Sequence, residues 1–352
     1  MKQPKQYSKV TMRDVAAAAG CSTMTVSRAL QKDGRVSEKT RKRILKTVKE
    51  LGYVPDMTAG SLSSMRSGFI ALLLPSLNNQ HLAEMVHALT DELAKADLQL
   101  LIGHTDYLSS KEERLIEMMM RRRPEALVIC YDGHTEQAMK LLKSVSVPVI
   151  ELWEDPDAPI QHTVGFSNFK AAYAMTEALI ARGYQAIGFI GEACDDGTRA
   201  GARRKGFQAA MTDAGLDAGR VIQHDVMPIS IEGAKQACEE LLDSFPEIDC
   251  IFCVSDPAAF GALSLLQERE IAVPDAIGLC GFGNFEISRF THPPISTVGV
   301  DATVVGRKAA ELILRIRNED NEGEAGDGGQ QMSEHLRLKP ELMFRRSLKP
   351  QP

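Results

Sequence analysis

Thr11–Leu30, TMRDVAAAAGCSTMTVSRAL, decides how the chain is read. Met12, Val15, Ala16 and Ala19 recur at i, i+3, i+4 and i+7, the apolar stripe of a first short helix. Gly20 supplies a left-handed C-cap, and Ser22 is an N-cap for a second helix. On that second helix Val26, Ala29 and Leu30 face one way, and Thr23, Met24, Ser27 and Arg28 face another. A short helix with a small polar face ending in Arg suits a DNA major groove. The alternative, an ordinary helical hairpin of a larger core, fits less well with the strongly positive charge around the stretch.

That charge is segregated. Residues 1–60 carry 13 Lys and Arg against 5 Asp and Glu, leaving 28 basic and 42 acidic residues for the remainder of a chain of net charge −6. A basic head on an acidic body predicts that the head alone meets a polyanion. At 352 residues there is length for two or three domains. No apolar run approaches the ~20 residues of a membrane span, and the first thirty residues lack the apolar core of a secretory signal. Seven scattered cysteines fit reduced thiols in a cytoplasm. Cys250 and Cys253 form C-x-x-C inside the apolar run CIFCV, and read as buried structural thiols rather than a metal or redox site, because no second ligand pair follows. Neither metal nor cofactor is expected.

A third helix is predicted from the N-cap Ser37 to Leu51, with Ile44, Leu45, Val48 and Leu51 as its buried stripe. Basic residues Lys39, Arg41, Lys42, Arg43 and Lys46 line its outer face, and Arg35 lies in the preceding loop, where cations meet phosphates. Residues 53–67 have linker composition, with Leu62 as an isolated large apolar residue suited to a minor-groove wedge or to packing. From Phe69 the pattern changes to strand–helix alternation. Apolar strands Phe69–Leu74, Leu98–Ile102, Ala126–Tyr131 and Val147–Leu152 alternate with helices. A second series follows at Ala186–Ile190, Ile248–Val254 and Ala276–Phe282. This implies two doubly wound parallel α/β lobes. They are joined near Val164–Asn168 and Ser296–Asp301, and a helix at Ala302–Asn318 returns to the first lobe. The expected division is a headpiece at 1–52, a hinge at 53–67 and a core at 68–345. The first lobe takes 68–166 and about 300–328; the second takes 167–298 and about 329–345.

An all-α helix-turn-helix headpiece, a linker with a lone Leu and a two-lobe α/β core resemble the LacI/GalR family of bacterial transcription regulators. The motifs are TMRDVAAAAGCSTMTVSRAL, VSEKTRKRILKTVKELGYVPD, ARGYQAIGFIG, VPDAIGLCGF and LKPELMFRRS. Within that family TMTVSR, LLPSLNNQHLAE, VIELW and VGFSNFKAAYAMTEALIARG are most similar to repressors of gluconate operons. The resemblance implies a periplasmic-binding-protein-like core, a cytoplasmic homodimer, operator double-stranded DNA as partner and a small-molecule effector. It places DNA contacts on Thr11, Thr23, Met24, Ser27 and Arg28 and hinge roles on Ala59 and Leu62; Thr25 and Arg35 are expected to touch DNA beside them.

Ligands of two-lobe α/β proteins bind beyond strand C-termini. The expected effector residues are Ser76, Asn78, Gln80, Trp153, Arg199, Arg203, Ser255, Asp256 and Asn284, with Arg203 matching the family's effector-binding arginine. Where relatives that bind neutral sugars carry an acidic residue, this chain has Gly283. Losing a carboxylate there, with Arg203 and Arg199 opposite, favours a sugar acid such as gluconate over a neutral sugar; the glycine also fits a purely spatial role. Whether the ligand induces or co-represses is open. A solute-binding protein would share the lobes but lack the basic headpiece. An enzyme is disfavoured: the eight histidines are dispersed and no catalytic motif appears.

Overall fold

The computed structural model describes residues 10–30, 36–54, 67–195, 197–322 and 333–351, the side chains to residue 319 and again from 333. It divides after Ser67 into two units.

The first unit holds α1 (Met12–Ala18), α2 (Thr23–Leu30) and α3 (Glu38–Leu51). Gly20 has φ +61°, and the amide of Cys21 returns to the carbonyl of Ala16, closing α1 as its glycine predicts. Ser22 Oγ accepts from the Thr25 amide at the start of α2. Val15, Ala16, Ala19, Val26, Ala29 and Ile44 make a small core. The expected stripe of α3 is corrected here. Leu45 and Leu51 are 44% and 37% exposed, and the buried face is Ile44 and Thr47, with Val48 packed against the core. Two short helices cover only a narrow face of a third, and residue 45 lies one step, about 100°, round from Ile44.

In the second unit β1 (Phe69–Leu74), α4 (Gln80–Ala94), β2 (Gln99–His104), α5 (Ser109–Met120), β3 (Ala126–Cys130), α6 (Glu136–Ser144), β4 (Val149–Leu152) and β5 (His162–Gly165) build the first lobe. The second lobe follows with α7 (Asn168–Ile180), β6 (Ile187–Glu192), α8 (Arg199–Asp213), β7 (Val221–His224), α9 (Ile231–Ser244), β8 (Cys250–Cys253), α10 (Asp256–Glu268), β9 (Gly278–Gly283), α11 (Ile287–Phe290) and β10 (Ser296–Gly299). Then α12 (Ala302–Glu322) returns to pack on α4, where an added Cβ at Gly306 would lie 2.3 Å from the Met85 carbonyl. The last strands are β11 (His335–Arg337) and β12 (Glu341–Met343). Sheet order is β11-β5-β4-β3-β1-β2 in the first lobe and β12-β10-β9-β8-β6-β7 in the second, parallel except β12. The central strands are apolar on both faces because helices cover both. Cys250 and Cys253 are fully buried in β8.

The chain leaves the first lobe between β5 and α7 and returns between β10 and α12, and the first residues of the expected joins, 164–165 and 296–299, are strand. The last crossing differs from the expectation: instead of near 328 it comes at 338–340. Residues 335–337 therefore belong to the first sheet rather than to the second lobe. His335–Arg337 and Glu341–Met343 are three-residue edge strands with mixed polarity, so no apolar run marks them. Among the described residues no helix is long and apolar enough to cross a membrane.

Candidate functional site

In the first unit, α2 presents Met24, 61% exposed, together with exposed Thr23 and Arg28 and half-buried Ser27. Burying Val26 and Ala29 forces this face outward. Arg28 in a major groove has the fork geometry for guanine O6 and N7, and Met24 or Thr23 the apolar surface for a thymine methyl. Thr25 Oγ1 lies 2.9 Å from Ser22 Oγ. Thr11 is committed to a capping box: its amide and hydroxyl donate to Asp14 Oδ2 at 2.8 and 2.7 Å, and its hydroxyl oxygen accepts from the Asp14 amide. These bonds hold the Asp14 carboxyl below its usual range. Arg35, Ala59 and Leu62 lie outside the described residues.

Between the lobes of the second unit is a cavity of about 320 Å³, the size of a small-ligand site. Four helices begin at it, and each N-cap, Asn79 of α4, Thr198 of α8, Ser230 of α9 and Ser255 of α10, lines its wall. Helix N-termini carry partial positive charge and unpaired amides, so the convergence favours an anion or the oxygens of a polyol. Trp153, Phe166, Phe282 and Phe285 supply the apolar walls. Trp153 has φ +72°, and its Nε1 donates to Met85 Sδ at 3.1 Å, which fixes the ring.

Two arginines enter on α8, one helical turn apart. Arg203 Nε donates to Asn168 Oδ1 and Nη1 to the Val254 carbonyl, both at 2.8 Å, while the guanidinium lies 3.8 Å over the Phe282 ring. Burial and then the neighbouring Arg199 charge push Arg203 down to about 10. Arg199 Nε approaches Asp132 Oδ1 at 3.3 Å from the opposite lobe. Burial opposes the Arg199 charge, but Asp132 and Tyr107 outweigh it and raise the group. Glu192 also lines the cavity, accepts from the Ile229 amide at 3.0 Å, and is pushed up by burial towards its neutral form.

Of the expected effector residues, Ser76, Asn78, Trp153, Arg199, Arg203 and Ser255 are brought together around this cavity. Gln80, Asp256 and Asn284 are not, and are corrected here. Gln80 bonds Glu84 and receives the Glu286 amide, facing a neighbouring depression. Asp256 is fully buried, taking Thr297 Oγ1 at 2.6 Å and the Phe285 amide at 2.7 Å; burial raises it to about 6. Its role is to tie the loop after β9 to α10. Asn284 Oδ1 accepts from Arg345 Nη2, which turns it away from the cavity. Gly283, with φ +121°, lies where a Cβ would come 2.5 Å from the Phe285 ring and 3.1 Å from His81. Its spatial role is therefore explicit, and the cleft has its carboxylates elsewhere, at Asp132 and Glu192.

Tyr107, Asp132, Phe166, Glu192 and His81 were missed by the sequence reading. Asp132 and Glu192 stand at or just past the C-terminal ends of β3 and β6, a position that could have flagged them. His81 packs 4.1 Å from Phe285 and 6.1 Å from Trp153, centroid to centroid.

A family profile described as bacterial regulatory proteins, lacI family, matches residues 11–56. Another, described as periplasmic binding proteins and sugar binding domain of LacI family, matches 67–327. The HTH-type transcriptional regulator GntR of Escherichia coli K12 is 33% identical over 311 residues, 88% of this chain and 92% of its own. The regulator IdnR of the same strain is 29% identical over 326 residues, 92% and 97% of the two chains. A solved LacI family transcriptional regulator from Silicibacter pomeroyi is 51% identical and matches with a TM-score of 0.75 over 80% of this chain and 99% of its own. The lac repressor dimer bound to operator and the anti-inducer ONPF, 22% identical, shares the fold with a TM-score of 0.80 over 97% of this chain and 99% of its own.

Proposed function

The chain belongs to the LacI family, DNA-binding, ligand-responsive transcriptional repressors and not enzymes, and from that premise we propose that its effector is a sugar acid such as gluconate. The observation that carries this is Arg203. It is a half-buried guanidinium lining the cavity with no carboxylate within ion-pair distance among the described residues, while four helix N-termini converge on the same space. A cation partly withdrawn from water favours an anionic partner, and the remaining Nη2 edge of Arg203 is the group to meet one. Hydroxyl groups of the ligand then fall to Ser76, Asn78, Ser255 and Glu192, and the apolar edge of its carbon chain to Trp153 and Phe282. The likeness to regulators named GntR supports the same reading.

In this reading the protein acts in the cytoplasm as a homodimer on a pseudo-palindromic operator, because one α2 spans too few bases for genomic specificity. Thr23, Met24 and Arg28 read bases, Thr11, Thr25, Ser27 and Arg35 position the backbone, and Ala59 and Leu62 act in the hinge. Ligand binding favours the lobe arrangement that holds DNA poorly, so gluconate induces. Titration calorimetry with gluconate and with neutral glucitol, paired with gel shifts at fixed salt, tests it. Saturable gluconate binding with weakened operator binding is expected. Preference for glucitol, or operator affinity unchanged at saturating gluconate, overturns the proposal.

A further inference from the structure

We propose that Asp132 is a specificity-determining residue of the cleft: its carboxylate holds Arg199 in the place a ligand carboxylate takes, so that an anionic ligand binds by exchange with Asp132. This deepens the sugar-acid reading and rests on it only for the charge of the ligand.

Asp132 follows β3 in the first lobe and Arg199 opens α8 in the second, so the pair crosses the cleft. One oxygen, Asp132 Oδ1, takes both the Arg199 amide at 3.4 Å and Arg199 Nε at 3.3 Å. These are the two features of α8 that an anion uses, a helix N-terminus and a guanidinium. Asp132 therefore stands as an internal anion on the site. Its grip is loose. Charge-assisted N–H···O bonds settle near 2.7–2.9 Å and arginine prefers a two-pronged fork, whereas here both distances are long and the side-chain contact is a single prong. The two side chains are only 16% and 14% exposed, so neither charge can simply be left to water when the pair parts.

Exchange resolves that constraint. A ligand carboxylate arriving between Arg199 and Arg203 replaces Asp132 on Arg199 and also answers Arg203, and Asp132 turns to a ligand hydroxyl. A neutral polyol cannot replace it, because Arg199 would lose its anion. The same carboxylate that slows entry thus rejects uncharged analogues, by the unpaired charge they would leave behind. Among the described residues the other ionisable groups around the pair are Tyr107 from the loop after β2, Cys130 at the end of β3, Glu192 from β6 and Arg203 from α8.

The test uses the full chain, the variants Asp132→Asn and Asp132→Ser, and the double variant Asp132→Asn/Arg199→Gln, in thermal-shift titrations. Sodium acetate replacing chloride at constant ionic strength is the first probe, as the bare carboxylate; gluconate and glucitol are the others. Without ligand, Asp132→Asn melts below the wild type. Its acetate midpoint falls at least ten-fold, whereas the double variant, lacking Arg199, loses that response and shows a smaller gluconate-over-glucitol preference than the wild type. Asp132→Ser carries the same readings if the Asn variant melts without a cooperative transition. An acetate midpoint unchanged or raised in Asp132→Asn or Asp132→Ser overturns the proposal and makes Asp132 a residue that merely orients Arg199. If neither protein binds gluconate while the acetate midpoints move as stated, the sugar-acid reading fails and the role of Asp132 stands.

Discussion

Replacing Arg203 by Met keeps most of the side-chain volume and removes the charge. The magnitude follows from how the guanidinium is already spent. Nε is taken by Asn168 and one edge of Nη1 by Val254, so the full two-pronged grip on a ligand carboxylate is not on offer, and Nη2 is the donor left. One charge-assisted hydrogen bond is worth about 1.5–3 kcal/mol, which is roughly a 10- to 150-fold loss of gluconate affinity. Glucitol binding, which has no use for the charge, should change by less than about three-fold on the same scale. Stability moves modestly. Asn168 Oδ1 and the Val254 carbonyl each lose a donor at about 1–3 kcal/mol, but a guanidinium that burial drives down to about 10 is no longer held in the interior. Operator affinity without ligand should be that of the wild type, since residues 11–30 are untouched. Calorimetry on gluconate and glucitol, with gel shifts for the operator, reads all three. Gluconate affinity unchanged in the Met variant, or gluconate and glucitol lost together, refutes the assignment of Arg203 as the anion-binding group.

Arg28→Ala should weaken operator binding by about 1–3 kcal/mol and relax specificity at one base pair, with ligand binding intact; an equal loss on every sequence in a binding-site library would show a phosphate contact instead. Gly206→Ala puts a Cβ 2.2 Å from the Phe169 carbonyl, where α8 crosses α7. The overpacking should outweigh the gain in helix propensity and cost about 1–3 kcal/mol in urea unfolding; a more stable variant would refute that reading of the α7–α8 contact. His134 lies buried between Glu112 and Glu151, 2.6 and 3.4 Å away. Burial opposes its charge, but the two carboxylates prevail and raise it to about 9 from the ordinary 6.5. A raised folded value means its stabilisation is complete below pH 6.5 and is lost as pH climbs towards 9. The urea midpoint should therefore fall across that window more steeply in the wild type than in His134→Gln, and parallel profiles would contradict it.

The reading of α1 and α2 needed only local rules, since Val15, Ala16, Ala19, Val26 and Ala29 bury at the spacing that one helix face dictates and Gly20 is left-handed where the chain must turn. The long apolar strands were legible for a similar reason: burial on both faces leaves no polar alternation to misread. What escaped was whatever depends on two distant segments meeting. The edge strands His335–Arg337 and Glu341–Met343 are strands because β5 and β10 offer free edges, not because of their own composition. Asp256 looked like a cleft carboxylate because it begins a helix after a strand, yet its oxygens turn inward to Thr297 and the Phe285 amide, and no local pattern distinguishes the two directions. Gly283 shows the same limit from the other side. The charge argument read a missing carboxylate as room for an anion, but the glycine is required first by Phe285 and His81, which leave no space for a Cβ. The electrostatics of the cleft are set instead by Asp132 and Glu192 against Arg199 and Arg203. These four groups belong to two strand–helix units, β3–α6 in the first lobe and β6–α8 in the second, so the charge balance belongs to the arrangement of lobes rather than to any one motif.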